Sequence, residues 1–126
     1  MPFRYRFSQN PDMVELIGEG YITQTERLEA LRALMSDPAF RPGLPALCDF
    51  SGASSTPTMR ELRRIVDYVE QNAIRIGRQR LAMVVEKPST FGVARQFQAL
   101  SETGPLHVQV FASRDAALAW LHSEPP

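Results

Sequence analysis

Cysteine, lysine, histidine and tryptophan are nearly missing from this 126-residue chain, which has one cysteine, one lysine (Lys87), two histidines and one tryptophan. A lone Cys48 cannot form an intramolecular disulfide, so nothing marks a stapled, secreted scaffold. His107 and His122 are too few and too scattered for a metal site, and no His, Cys or carboxylate spacing fits zinc. No metal and no cofactor is expected. The Gly-x-Ser-x-Gly elbow, the Walker phosphate loop and the Gly-x-Gly-x-x-Gly turn are absent too. Without such a constellation the expectation is a protein that is not an enzyme. No apolar run approaches a membrane span. The first residues alternate arginine with aromatics instead of forming an apolar signal segment, so a cytoplasmic location is expected. Neither sign of charge prevails, with Lys+Arg and Asp+Glu both at 14. That balance offers no field to a nucleic-acid backbone or an anionic membrane.

What is present suits one folded domain over residues 1–126. An apolar share of 44% excludes a disordered chain. Phe3, Tyr5 and Phe7 alternate with Arg4 and Arg6, which predicts a half-buried strand over 3–7. A turn over 8–12 leads to a second strand over 13–19, where Gly18 and Gly20 allow a bulge or bend. Thr23 and Glu26 form a capping-box pattern, and Leu28, Leu31, Leu34 and Met35 make the stripe of a first helix that Asp37-Pro38 stops. Residues 44–50 read as a third strand with Pro45 at its entrance.

The second helix is predicted over 58–76. Met59, Leu62, Val66, Val69, Ala73 and Ile76 recur at helical steps, and Gly77 is the stop. The continuous apolar run over 81–85 reads as a central strand. A third helix opens at Pro88-Ser-Thr90 and carries Val93, Phe97 and Leu100 inward. His107-Val-Gln-Val-Phe111 is the fifth strand. Ser113 caps a last helix with Ala117, Leu118, Trp120 and Leu121, and a tail over 122–126 frays. Expected core residues are Leu47, Val66, Val69, Met83, Val84, Val93, Phe97, Val110 and Trp120.

The order ββαβαβαβα predicts an α/β fold with a mostly parallel five-stranded sheet. Right-handed crossovers place the helices mainly on one face. Arg4, Arg6, Glu15, Glu19, His107 and Gln109 supply polar outer faces near the sheet edges. The two central strands are apolar on both sides. The helix-free side therefore carries an apolar strip, which predicts a homodimer or a covering segment over it.

Three stretches carry a family resemblance. They are Gly20-Tyr-Ile-Thr23 before the first helix, Cys48-Asp-Phe-Ser51 after the third strand, and Thr90-Phe-Gly-Val-Ala-Arg95 paired with Val110-Phe-Ala-Ser-Arg-Asp-Ala116 and Trp120-Leu121. In this order and spacing the chain resembles the SpoIIAA-like superfamily, which includes STAS domains and is related in fold to the Sec14-type lipid-transfer domains. Among its members it is similar to small stand-alone bacterial proteins. The resemblance implies a βα superhelix with an extra N-terminal strand, and a regulatory or binding domain. Anti-sigma-factor antagonists of this superfamily carry Asp-Ser-Ser-Gly at the start of the second helix, and a partner kinase phosphorylates its serine. Here the corresponding residues are Ser54-Ser-Thr-Pro-Thr-Met59, a departure from that motif.

The candidate site is the hydroxyl-rich stretch over 49–59, between the third strand and the second helix. The end of a strand in an open α/β sheet is where sites gather, and a helix N-terminus favours anions. Asp49, Ser51, Ser54, Ser55, Thr56 and Thr58 lie there, followed by Arg60, Arg63 and Arg64. An anionic or phosphorylated group, or phosphate on Ser55, Thr56 or Thr58, would gain charge-assisted bonds from them. The competing reading is capping and turn chemistry. Thr58 with Glu61, or Thr56 with Pro57 at N1, would cap the helix, and Asp49 would close an Asx-type turn. Cys48 reads as a small buried hydrophobe. Gly92 with Arg95 could bind an anion, but a close helix–sheet contact at Gly92 is the simpler expectation. Two functions remain open. One is an interaction or regulatory module acting on a protein partner through this stretch. The other is a small-molecule or lipid-binding protein, for which a cavity between the helices and the sheet would speak.

Overall fold

A computed structural model describes residues 2–9 and 11–124. The last two residues of the expected frayed tail lie outside the described residues. β1 (Phe3–Gln9) and β2 (Asp12–Gly20) form an antiparallel hairpin, with Phe3 opposite Gly18 and Gln9 opposite Asp12. α1 (Gln24–Ser36), β3 (Ala46–Ala53), α2 (Met59–Gln71), the single turn α3 (Ala73–Ile76), β4 (Gln79–Val84), α4 (Pro88–Leu100), β5 (Leu106–Phe111) and α5 (Arg114–Leu121) follow. The sheet runs β1-β2-β3-β4-β5, and β2 to β5 are parallel.

Local chemistry explains most boundaries. Thr23 and Glu26 make a reciprocal capping box at the start of α1, and Thr58 and Glu61 make another at α2. Thr58, not Thr56, is therefore the cap. The register of β2 against β3 shifts between Ile17 and Glu19, which is the irregularity expected from Gly18. The expected helix over 58–76 is broken. Asn72 stops α2 because its side-chain amide donates to the Tyr68 carbonyl at 2.8 Å, competing with the next helical turn. α3 then ends at Gly77, whose φ of 68° is open to glycine and strained for other residues. β3 extends to Ala53, so Ser51 belongs to a strand and not to a loop.

The pleat sends alternate residues to opposite faces of the sheet. Ala46, Cys48, Leu81, Met83 and Val108 face α1, α2 and α4 in the larger core. Leu47, Ala82 and Val84 face the other way, where Ala117 and Leu121 of α5 close over them with Met13. The apolar strip expected on the helix-free side exists, and the chain's own last helix covers it. α5 follows the final strand and need not return to the sheet, so the crossover rule does not hold it to the common face. The motive for a homodimer over that strip goes with it.

Three expected core residues are only half-buried, namely Val93, Val110 and Trp120. Trp120 lies at the rim of α5. It packs at a tilt against Phe111, takes the His107 ring edge-on and lies under the Arg80 guanidinium. Gly92 is exposed, and a Cβ there would meet nothing within 4 Å, so the expected close helix–sheet contact is absent.

Candidate functional site

The α1–α2–α4 side of the sheet carries a partly open cavity of about 140 Å³. Its floor is the sheet, and small residues explain why it is not filled. Ala46, Cys48 and Ala53 stand on β3, and Ala94 approaches from α4. Larger side chains only ring this space, with Leu31 and Leu34 from α1, Leu62 and Ile65 from α2, and Phe97 from α4. Empty apolar space forfeits contacts that a packed core would make. A bound apolar molecule would restore them.

Few polar groups reach this lining, and most are already satisfied. Gln79 donates to the Leu44 carbonyl at 2.7 Å, and Thr90 donates to the Lys87 carbonyl at 2.9 Å. Ser55 donates to the Ile22 carbonyl at 3.1 Å and accepts from the Ile22 N–H at 2.8 Å. Arg27 of α1 also lines the cavity, although it is a charged residue. Cys48 on the floor is buried, and that burial, with the neighbouring Asp49 charge, pushes its thiol up to about 12. It is an inert wall, as expected of a small buried hydrophobe.

The hydroxyl-rich stretch is distributed among several tasks. Asp49 accepts from the Ser51 N–H at 3.0 Å and from the Ser51 hydroxyl at 2.6 Å, an Asx-type turn. Its other oxygen faces Arg114 at 3.4 Å on the α5 side of the sheet. Asp49 and Ser51 border a shallow depression beside Gly18, Glu19 and Gly52. Ser55 pins the loop to the α1 entrance, and Thr58 caps α2. Ser55 and Thr56 line the cavity, Thr56 at its exposed rim, and Ser54 is exposed outside it. Arg60, Arg63 and Arg64 are exposed and, among the described residues, take part in no ion pair. Arg95 lies over the exposed Phe91 ring. The structure thus brings Ser55 and Thr56 to one place and Asp49 and Ser51 to another. Among the described residues no cluster of His, Cys, Asp and Glu could hold a metal ion, and no helix is long and apolar enough to cross a membrane.

Two contributors, Lys87 and Arg27, escape the sequence reading, and a third, Glu15, was expected on a polar outer face but is buried. Lys87 reaches across to donate to the Ala53 carbonyl at 3.2 Å, and only the fold shows it. Glu15 is a buried carboxylate on the α5 face, bonded by Arg6 and Arg114. Desolvation pushes its pKa up, but the hydrogen bonds from Arg114 and Arg6 outweigh that and hold it below the usual carboxylate range. Arg27 precedes Leu31 by four residues and Leu34 by seven. A charge in phase with the apolar stripe of a helix is the sequence signal that could have found it.

The chain matches no protein-family model and no curated protein. It is similar to a solved structure of an uncharacterized protein of the DUF3478 family with a SpoIIAA-like fold, from Shewanella loihica PV-4. The two share 16% identity at a TM-score of 0.64, over 94% of this chain and 91% of that one. The chain has a SpoIIAA-like fold, as the resemblance implied.

Proposed function

We propose that this SpoIIAA-like chain is a non-catalytic binding protein that takes a small apolar molecule into the cavity between the sheet and α1, α2 and α4. The cavity is the observation that carries the reading. A space of about 140 Å³ walled by Leu34, Cys48, Leu62, Met83 and Phe97 is apolar. An engineered apolar cavity of about 150 Å³ stays dry and binds benzene. The ligand takes the place of missing side-chain volume, so binding is linked to stability. Fold kinship with lipid-transfer domains agrees with this reading but is only an analogy.

The test is a variant that fills the space. Ala94→Leu adds three carbons from α4. It is expected to raise the unfolding midpoint in urea and to abolish binding of 1-hexanol followed through methyl chemical shifts of Leu34, Met83 and Phe97 neighbours. If hexanol leaves those resonances of the natural protein unmoved at millimolar concentration, the cavity is not a binding site.

A second reading has one observation in its favour. Ser54, Arg60, Arg63 and Arg64 are exposed, and the three arginines have no ion-pair partner among the described residues. A protein partner with an acidic surface would engage them at the start of α2. Ser51, Ser55 and Thr58 already have internal partners, so this reading rests on fewer groups than the stretch contains.

A further inference from the structure

Among the described residues, Arg27 is the one charged side chain in the wall of the cavity. Its side chain is only 9% exposed. Burial holds its pKa below the usual guanidinium range, ahead of the opposing influence of Glu61. Among the described residues it makes one hydrogen bond, from Nη1 to Gln24 Oε1 at 3.2 Å. A guanidinium carries five N–H donors, so most of its capacity has no protein partner. Glu61 Oε1 is 3.9 Å from Nη1, too far for a hydrogen bond. That oxygen is already committed to the Thr58 N–H at 2.9 Å, and the Glu61 side chain is 35% exposed. Gln24 is held as well, because its amide donates to the Glu61 carbonyl at 3.0 Å. The counter-ion is therefore distant, shared and solvated, and the N–H groups of Arg27 that lack a protein partner are not sealed in the interior but stay accessible. A cation that lines an apolar cavity with accessible N–H donors and only a distant counter-ion has a place for an anion.

We propose that the cavity's ligand is a small monoanionic amphiphile, an apolar tail ending in a carboxylate, and that Arg27 binds the carboxylate. This deepens the cavity reading and rests on it. The volume of about 140 Å³ sets the size of the tail. Benzene fits a cavity of about 150 Å³, so the tail has roughly six carbons, aliphatic or aromatic. A planar guanidinium matches a carboxylate with two parallel N–H donors, which gives orientation as well as attraction. A neutral ligand of the same size would leave Arg27 as it is. A cationic one would be repelled.

The rival is a structural Arg27 that only ties α1 to α2 through Gln24 and Glu61. Titration calorimetry with hexanoate, 1-hexanol and hexylamine on the natural chain and on Arg27→Met separates the two. Hexanoate is expected to bind the natural chain about tenfold or more tightly than hexanol, the scale of one charge-assisted hydrogen bond, with hexylamine weakest. In Arg27→Met the preference for hexanoate is expected to vanish while hexanol binding persists. The variant should unfold at nearly the same urea concentration, because it removes one long hydrogen bond and a distant, half-solvated ion pair. A merely structural arginine predicts a less stable variant and no preference in the natural chain. Equal affinity for hexanoate and hexanol overturns the role of Arg27 and leaves the cavity reading standing. No binding of any probe overturns both. If Arg27→Met does not fold, the Arg27 Nε resonance of the natural chain decides. It should shift with hexanoate and not with hexanol, and a silent resonance refutes the assignment.

Discussion

Cys48 shows how a residue's surroundings replace its intrinsic chemistry. Its thiol is pushed from the usual 9.0 to about 12 by burial and by Asp49. At pH 8 roughly one molecule in ten thousand carries the thiolate, so reaction with iodoacetamide should follow unfolding and not the native state. The same shift predicts a pH dependence. The folded thiol keeps its proton to a higher pH than the unfolded one. Its contribution to stability is therefore complete below pH 9 and falls as pH rises toward 12. Urea midpoints measured for the natural chain and Cys48→Ala should converge across that window. Curves that stay parallel would show that the thiol ionises freely in the fold. That Cys48 is a small buried hydrophobe was legible in the sequence. Its place on the floor of a cavity was not, because the opposite wall comes from α4, more than forty residues away in the chain.

Helix ends were legible because their signals are local. Capping boxes at Thr23–Glu26 and Thr58–Glu61, the stop at Asp37 and the cap at Ser113 act within one turn of the chain. The break at Asn72 was harder to see, since the apolar spacing runs on through Ile76 while the Asn72 amide diverts the backbone. Gly77, after that break, makes a sharp prediction. Its φ is 68° with ψ at −157°, a region nearly exclusive to glycine. An added Cβ would lie 2.9 Å from Pro42 Cβ and 3.1 Å from the Gly43 nitrogen. Gly77→Ala is expected to cost about 1–3 kcal/mol in urea unfolding. A loss under a few tenths of that scale would mean that the α3–β4 junction relaxes freely. The hydroxyls over 49–59 belong to this scale too. Composition made them look surplus, but Ser51 bonds Asp49 and Thr58 caps its own helix, while the partner of Ser55, Ile22, lies 33 residues away in the chain.

The whole molecule is organised by which face each helix takes. α1, α2 and α4 share one face, and α5 alone covers Leu47, Ala82 and Val84 on the other. Ending the chain at Ala112 would uncover that strip and remove Arg114 from the buried Glu15. Burial of Leu121 alone is worth about 2 kcal/mol. The truncated protein should unfold at lower urea and associate with rising concentration in analytical ultracentrifugation. A truncated chain that stays monomeric and equally stable would show that α5 is dispensable to the fold. Strand order, parallel pairing and the alternation of inner and outer residues were determined by the sequence. They follow from periodicity, turn residues and the handedness of crossovers, all of which act over short spans. The side chosen by α5, the cavity and the burial of Arg27 were decided only by tertiary structure. Each depends on volumes and charges contributed by elements far apart in the chain, and no local pattern records whether those volumes meet or leave a gap.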